Sequence, residues 1–225
     1  MDQRSRLPIP WIPGEHITAI GDTGTGKTYL VNKIIAQRKY VVFFRTKADK
    51  TKIDGFHMAR KASAMDNVYQ TRILLQPEYS YQMREGYEML ERAWVQGGWT
   101  IVIDELWYVE RLKLGSLVER LLTQGRSIGI SVVIGIQRPA QISRFVISQS
   151  THLFTFRVEG RDLQTIKLST TPRVVEPINS LTGHNFVYYN RALRLVAKGN
   201  AKNIGAILGR KILPNPLTPS AEGAR

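Results

Sequence analysis

Residues 21–28 read GDTGTGKT, and within them Gly21, Gly26, Lys27 and Thr28 fit the pattern GxxxxGK(S/T) without a mismatch. The apolar run ITAI precedes the stretch and YLVNKIIAQ follows it. No other feature restricts the fold as strongly, because such a loop works only where a strand ends and a helix begins. Its glycines permit a tight turn whose backbone N–H groups point inward around phosphate oxygens. The helix that follows brings the positive end of its dipole to the same point. Lys27 can then reach β- and γ-phosphates, and the Thr28 hydroxyl can ligate Mg²⁺. Gly21, Asp22, Thr23, Gly24, Thr25, Gly26, Lys27 and Thr28 are therefore the candidate ATP-binding residues.

A second half of such a site stands at 99–106, WTIVIDEL, where four apolar residues in strand pattern end in adjacent carboxylates. Asp104, at the C-terminal end of that strand, would hold Mg²⁺ together with Thr28. Glu105 would then act as base or acceptor for a water attacking the γ-phosphate. A third element is ISVVIGIQRPAQI (130–142), a buried strand ending in Gln137. The Gln137 amide can hydrogen-bond the γ-phosphate or the lytic water; taken alone, it reads equally well as a polar residue ending a strand.

Short β-rich apolar runs alternate with amphipathic segments, the pattern of a mostly parallel sheet covered by helices. Strands are expected over 16–20, 40–44, 71–75, 100–103, 131–136 and 153–157. Helices are expected over 27–37, 81–96, 114–124, 143–149 and 161–168, and a final antiparallel hairpin over 186–199. Length fits one α/β domain over 1–211, while residues 212–225, rich in proline and poor in packing residues, are expected to be a disordered tail.

Charge narrows the partner. Thirty-two Lys and Arg against 18 Asp and Glu leave +14, the footprint of a nucleic-acid partner. Nine Lys and Arg fall between Lys33 and Lys61 and six between Arg191 and Lys211, whereas the densest run of acids lies between Glu78 and Glu119. No apolar stretch approaches the roughly 20 residues of a membrane span, and the N-terminus lacks the apolar region of a signal peptide. Cysteine is absent, which excludes disulfides and thiolate metal sites. His16, His57, His152 and His184 show no metal-ligand spacing. Trp94, Trp99, Trp107 and Tyr108 read as core and subunit interface rather than as base-stacking groups.

The separation of the two motifs, with Glu beside Asp, resembles the additional-strand, catalytic-glutamate class of P-loop ATPases with a RecA-like core. The stretch 126–162, RSIGISVVIGIQRPAQISRFVISQSTHLFTFRVEGRD, is similar to the FtsK/HerA superfamily, in which a strand leads to Gln-Arg-Pro, a short helix and a strand ending in FRV. Gly135-Ile136 departs from the commoner Ala-Thr before the glutamine. Within that superfamily a short chain without membrane, DNA-orienting or nuclease domains is most like a viral or phage genome-packaging ATPase.

The resemblance implies an ATP-driven translocase of double-stranded DNA, working with ATP and Mg²⁺ as a pentameric or hexameric ring. It also implies action in the cytoplasm of the host, at the procapsid, with a portal or vertex protein as possible partner. A DNA-export ATPase of conjugation or filamentous-phage assembly and a nucleotide-dependent DNA-binding switch remain open. An arginine finger from the neighbouring subunit is implied too: Arg126 first, then Arg138, Arg157 and Arg120. The loop RTKADKTK (45–52) offers Arg45, Lys47, Lys50 and Lys52 to the DNA backbone, a contact that carries no sequence information.

Overall fold

Strands built from Val, Ile, Phe and Leu, buried on both faces, need cover on both sides of the sheet. The computed structural model describes residues 11–48 and 51–206; the expected tail and Lys50 lie outside them. Its strands are β1 Ile17–Ile20, β2 Val41–Phe44, β3 His57–Ala59, β4 Arg72–Leu75, β5 Thr100–Ile103, β6 Ser131–Ile136, β7 His152–Thr155, β8 Asn185–Asn190 and β9 Leu195–Asn200. The helices are α1 Lys27–Ile35, α2 Gln82–Gln96, α3 Leu106–Arg111, α4 Gly115–Gln124, α5 Arg144–Gln149, α6 Gly160–Ser169 and α7 Pro172–Val175.

All nine strands form one sheet in the order β3-β4-β2-β5-β6-β1-β7-β8-β9. Pairing is parallel from β3 through β7 and antiparallel for β7–β8 and β8–β9. β6 thus stands between β1, which carries the P-loop, and β5, which carries the Asp-Glu pair. This is the additional-strand arrangement of a RecA-like P-loop NTPase.

Alternation along each strand divides the core in two. Val42, Phe44, Ile101, Ile103, Val132 and Ile134 face a layer that includes Met89, Leu90, Leu121 and Val146 from α2, α4 and α5. Val41, Phe43, Val102, Val133 and Phe154 face Leu30, Val31, Ile34 and Ile35 of α1, with Trp11. The Arg38 guanidinium lies 4.0 Å from the Trp11 ring and donates to the Trp11 carbonyl at 3.1 Å. Burial lowers the Arg38 pKa to about 10.

The expected strands and helices are all present, with ends shifted by one or two residues, and the terminal hairpin is β8–β9. Three elements were not expected: the edge strand β3 and the short helices α3 and α7. Among the described residues no helix is long and apolar enough to cross a membrane.

Candidate nucleotide site

Because β1, β2, β5 and β6 are parallel, the loops that leave them emerge along one edge of the sheet. Gly26 caps α1 at φ 104°, a left-handed conformation suited to glycine. A side chain there would also press on the His184 ring, 3.2 Å from an added Cβ. Lys27 is 8% exposed. Its Nζ donates to the carbonyls of Gly21 at 2.6 Å and Asp22 at 2.8 Å. Burial lowers the Lys27 pKa, and the carboxylates of Glu105 and Asp104 oppose that shift. A cation folded back on the carbonyls of its own loop, a loop open to space at Gly24, fits an anionic phosphate chain.

The Thr28 hydroxyl donates to Asp104 Oδ1 at 3.2 Å. A hydroxyl and a carboxylate side by side are hard oxygen donors of the kind Mg²⁺ takes. Next along the chain, Glu105 sits in extended backbone at the start of α3. Its pKa is raised by burial, against the pull of Lys47 and Lys27. The Gln137 backbone lies close enough to this carboxylate to oppose the rise slightly, and the Thr23 hydroxyl donates to Gln137 Oε1 at 3.2 Å. Thr23 of the P-loop is thus bonded to Gln137, which lines the same cavity as Glu105. An open cavity of about 710 Å³ adjoins Glu105 and Gln137, with Lys47, Tyr79, Trp107 and Tyr108 on its walls.

Gly135 stands where the backbone of β5 leaves no room for a side chain. A Cβ added there would lie 2.3 Å from the Asp104 carbonyl oxygen, closer than any real contact. β5 and β6 approach so tightly at this point that the missing side chain sets the position of Asp104.

The basic loop after β2 differs from expectation. Arg45 is 6% exposed and donates to the Thr51 carbonyl, so it closes the base of the loop instead of projecting from it. Lys47 turns toward the nucleotide site, with its Nζ 3.3 Å from Asp104 Oδ2. The backbone beneath it is fixed: Gln82 Nε2 donates to the Thr46 carbonyl and Gln76 Nε2 to the Lys47 carbonyl, each at 2.9 Å. Lys52 is exposed.

Arg126 is exposed and lies before β6, at the sheet edge opposite the P-loop. A six-residue strand spans roughly 20 Å, so this guanidinium is remote from its own chain's site. Arg138 pairs with Asp162 at 3.3 Å, Arg157 with Glu159 at 2.5 Å and Arg120 with Glu91 at 2.6 Å. Asp162 also accepts from the Ala140 N–H at 2.9 Å, so the Gln-Arg-Pro segment is held by the aspartate that ends the similar stretch.

Two contacts had no signal in the sequence. His184 Nδ1 lies 3.1 Å from the Thr25 carbonyl, which makes Nδ1 the donor and joins the C-terminal hairpin to the P-loop. Asp162 is 7% exposed, with nothing in its own neighbourhood to mark it as buried.

No protein-family model matches the chain, and no curated protein matches it in sequence. Solved structures do. The genome packaging NTPase B204 of Sulfolobus turreted icosahedral virus 2, in complex with AMPPCP, superposes with a TM-score of 0.69 at 14% identity, covering 83% of this chain and 97% of that one. B204 described as the DNA-packaging ATPase of Sulfolobus Turreted Icosahedral Virus gives 0.66 at 16% identity, covering 84% and 98%. The conjugation coupling protein TcpA of pCW3 gives 0.52 at 15%, covering 84% and 60%. At these identities the likeness is one of fold. The fold is that of the RecA-like P-loop NTPases, as the motifs implied.

Proposed function

We propose that this chain is a Mg²⁺-dependent ATPase that drives double-stranded DNA, as the motor that packages a viral genome into a preformed capsid. The observation that supports it most is the convergence of Lys27, Thr28, Asp104, Glu105 and Gln137 on one sheet edge. The fold that holds them parallels a genome packaging NTPase over nearly the whole of that chain. The charge of +14 supports a nucleic-acid partner.

In this reading the P-loop N–H groups and Lys27 hold the phosphates, the ammonium leaving the Gly21 and Asp22 carbonyls to do so. Thr28 and Asp104 hold Mg²⁺, which when bound neutralises charge developing on the β- and γ-oxygens. Glu105 takes the proton of the attacking water. Its raised pKa suits that task, because a carboxylate that binds protons more readily is the stronger base. Gln137, bonded to Thr23, positions the water and links the γ-phosphate to the Gln-Arg-Pro segment. Arg126 acts on the neighbouring subunit's site in a ring, and Lys52 with Lys50 contacts DNA phosphates. A portal or vertex protein at the procapsid in the host cytoplasm completes the assembly.

The likeness to TcpA favours a second reading, DNA transfer in conjugation by a related motor. Phosphate release from ATP, followed with and without duplex DNA, tests the proposal. It should rise with DNA, rise more than linearly with protein concentration, and vanish in Lys27→Ala. A rate indifferent to DNA would favour a nucleotide-dependent switch over a motor.

A further inference from the structure

Lys47 lies on the basic loop after β2, and among the described residues its ammonium is the cation paired with Asp104. One oxygen of Asp104 accepts from Thr28 and the other faces Lys47 Nζ at 3.3 Å. The approach does not depend on a wandering loop. Side-chain amides from two different elements, Gln76 after β4 and Gln82 at the start of α2, hold the carbonyls of Thr46 and Lys47. Arg45 ties the base of the loop to Thr51. Beyond it Ile53 and Phe56 pack against the core on the α1 side.

A lysine on an anchored backbone, aimed at one carboxylate oxygen, is a built counter-ion. A divalent cation taken up by Thr28 and Asp104 Oδ1 would stand on the other oxygen of the same carboxylate, and the repulsion between it and this ammonium favours withdrawal of the lysine. We infer that Lys47 is a positioning residue of the nucleotide site, an internal cation that occupies Asp104 in the nucleotide-free protein and yields it when Mg²⁺ arrives with ATP. This rests on the reading of Thr28 and Asp104 as the metal site. It divides the loop into an inward lysine that guards the metal carboxylate and an outward Lys52 left for DNA. A motor gains from such a guard, because free metal does not load the site ahead of nucleotide.

The test uses Mn²⁺ as the probe, titrated into the nucleotide-free full chain and followed by the loss of its free-ion electron-spin signal. Lys47→Ala should bind Mn²⁺ about fivefold more tightly than the unmodified chain, the upper range for a partly exposed ion pair. Lys47→Arg should stay near the unmodified value. Lys52→Ala, which removes the same charge from the same loop, should also leave affinity unchanged. Asp104→Asn in the Lys47→Ala background should abolish the gain. Equal affinity in Lys47→Ala and the unmodified chain, or an equal gain in Lys52→Ala, would overturn the role given to Lys47 and leave the metal site standing. Mn²⁺ binding that ignores Asp104→Asn would overturn the metal-site reading and the inference with it.

Discussion

Gly135 has no side chain, and the Asp104 carbonyl occupies the place where one would begin. Substitution by Ala forces β5 and β6 apart where Asp104 and Glu105 leave the sheet. Sites of this kind lose activity on displacements near 1 Å. Gly135→Ala should therefore keep its circular dichroism spectrum and still bind nucleotide through the P-loop, while hydrolysis falls by about 10²-fold; unchanged hydrolysis would show that the contact relaxes freely. Residue identities at this site were legible in the sequence wherever a motif fixed both type and spacing: Lys27, Thr28, Asp104, Glu105 and Gln137 stand together as expected. The direction of a side chain was not. Arg45 and Lys47 read as two equivalent loop cations, yet one is buried against its own loop and the other points at Asp104. Charge alone carries no information about which way a loop folds back.

The loop after β2 is the element on which the proposed DNA contact turns. If Lys50 and Lys52 each neutralise a phosphate, replacing both by Ala should lower the log–log salt slope of duplex binding by up to about 1.8, at about 0.9 per contact. The loss should be alike across DNA sequences, with phosphate release in the absence of DNA retained. An unchanged slope would move the interface to the basic block that begins at Arg191. Strands and long helices were legible because buried β-branched runs and amphipathic periods extend over several residues. The elements that escaped are short. β3 has three residues, of which only Ala59 is buried, too few to show alternation. α3 spans six residues directly after Asp104-Glu105, where the carboxylates read as the end of a strand and the helix that presents Glu105 left no period to detect. His184 reached the P-loop through a contact spanning 159 positions, which only the folded chain reveals.

Taken whole, the molecule carries its candidate nucleotide site at one sheet edge and Arg126 at the other, the layout that the proposed action of one subunit on the next requires. Arg126→Ala should bind ATP yet lose about 10³-fold or more in turnover. Mixing it with Lys27→Ala subunits should restore part of the activity, because some interfaces then pair an intact finger with an intact P-loop. No recovery in mixtures shown to co-assemble would assign the finger elsewhere. The fold's stability should also depend on acid in a defined window. His16 accepts from the Val132 N–H at 3.1 Å, and burial, the largest cause, lowers its pKa from 6.5 to about 4. The unfolded chain therefore binds the extra proton between those values and the folded chain does not. Stability is full above pH 6.5 and falls as pH drops toward 4, by on the order of 3 kcal/mol. Denaturant melts of His16→Asn should show a flatter dependence across that window, and an equal slope would mean that other groups carry it. The central claim, that hydrolysis at this site moves duplex DNA, is tested most directly by displacement of a third strand from the end of a DNA triplex. The unmodified chain should displace it with ATP and Mg²⁺ and fail without either, and Glu105→Gln should bind ATP but displace nothing. Hydrolysis that proceeds on duplex DNA while the third strand stays in place would contradict the account.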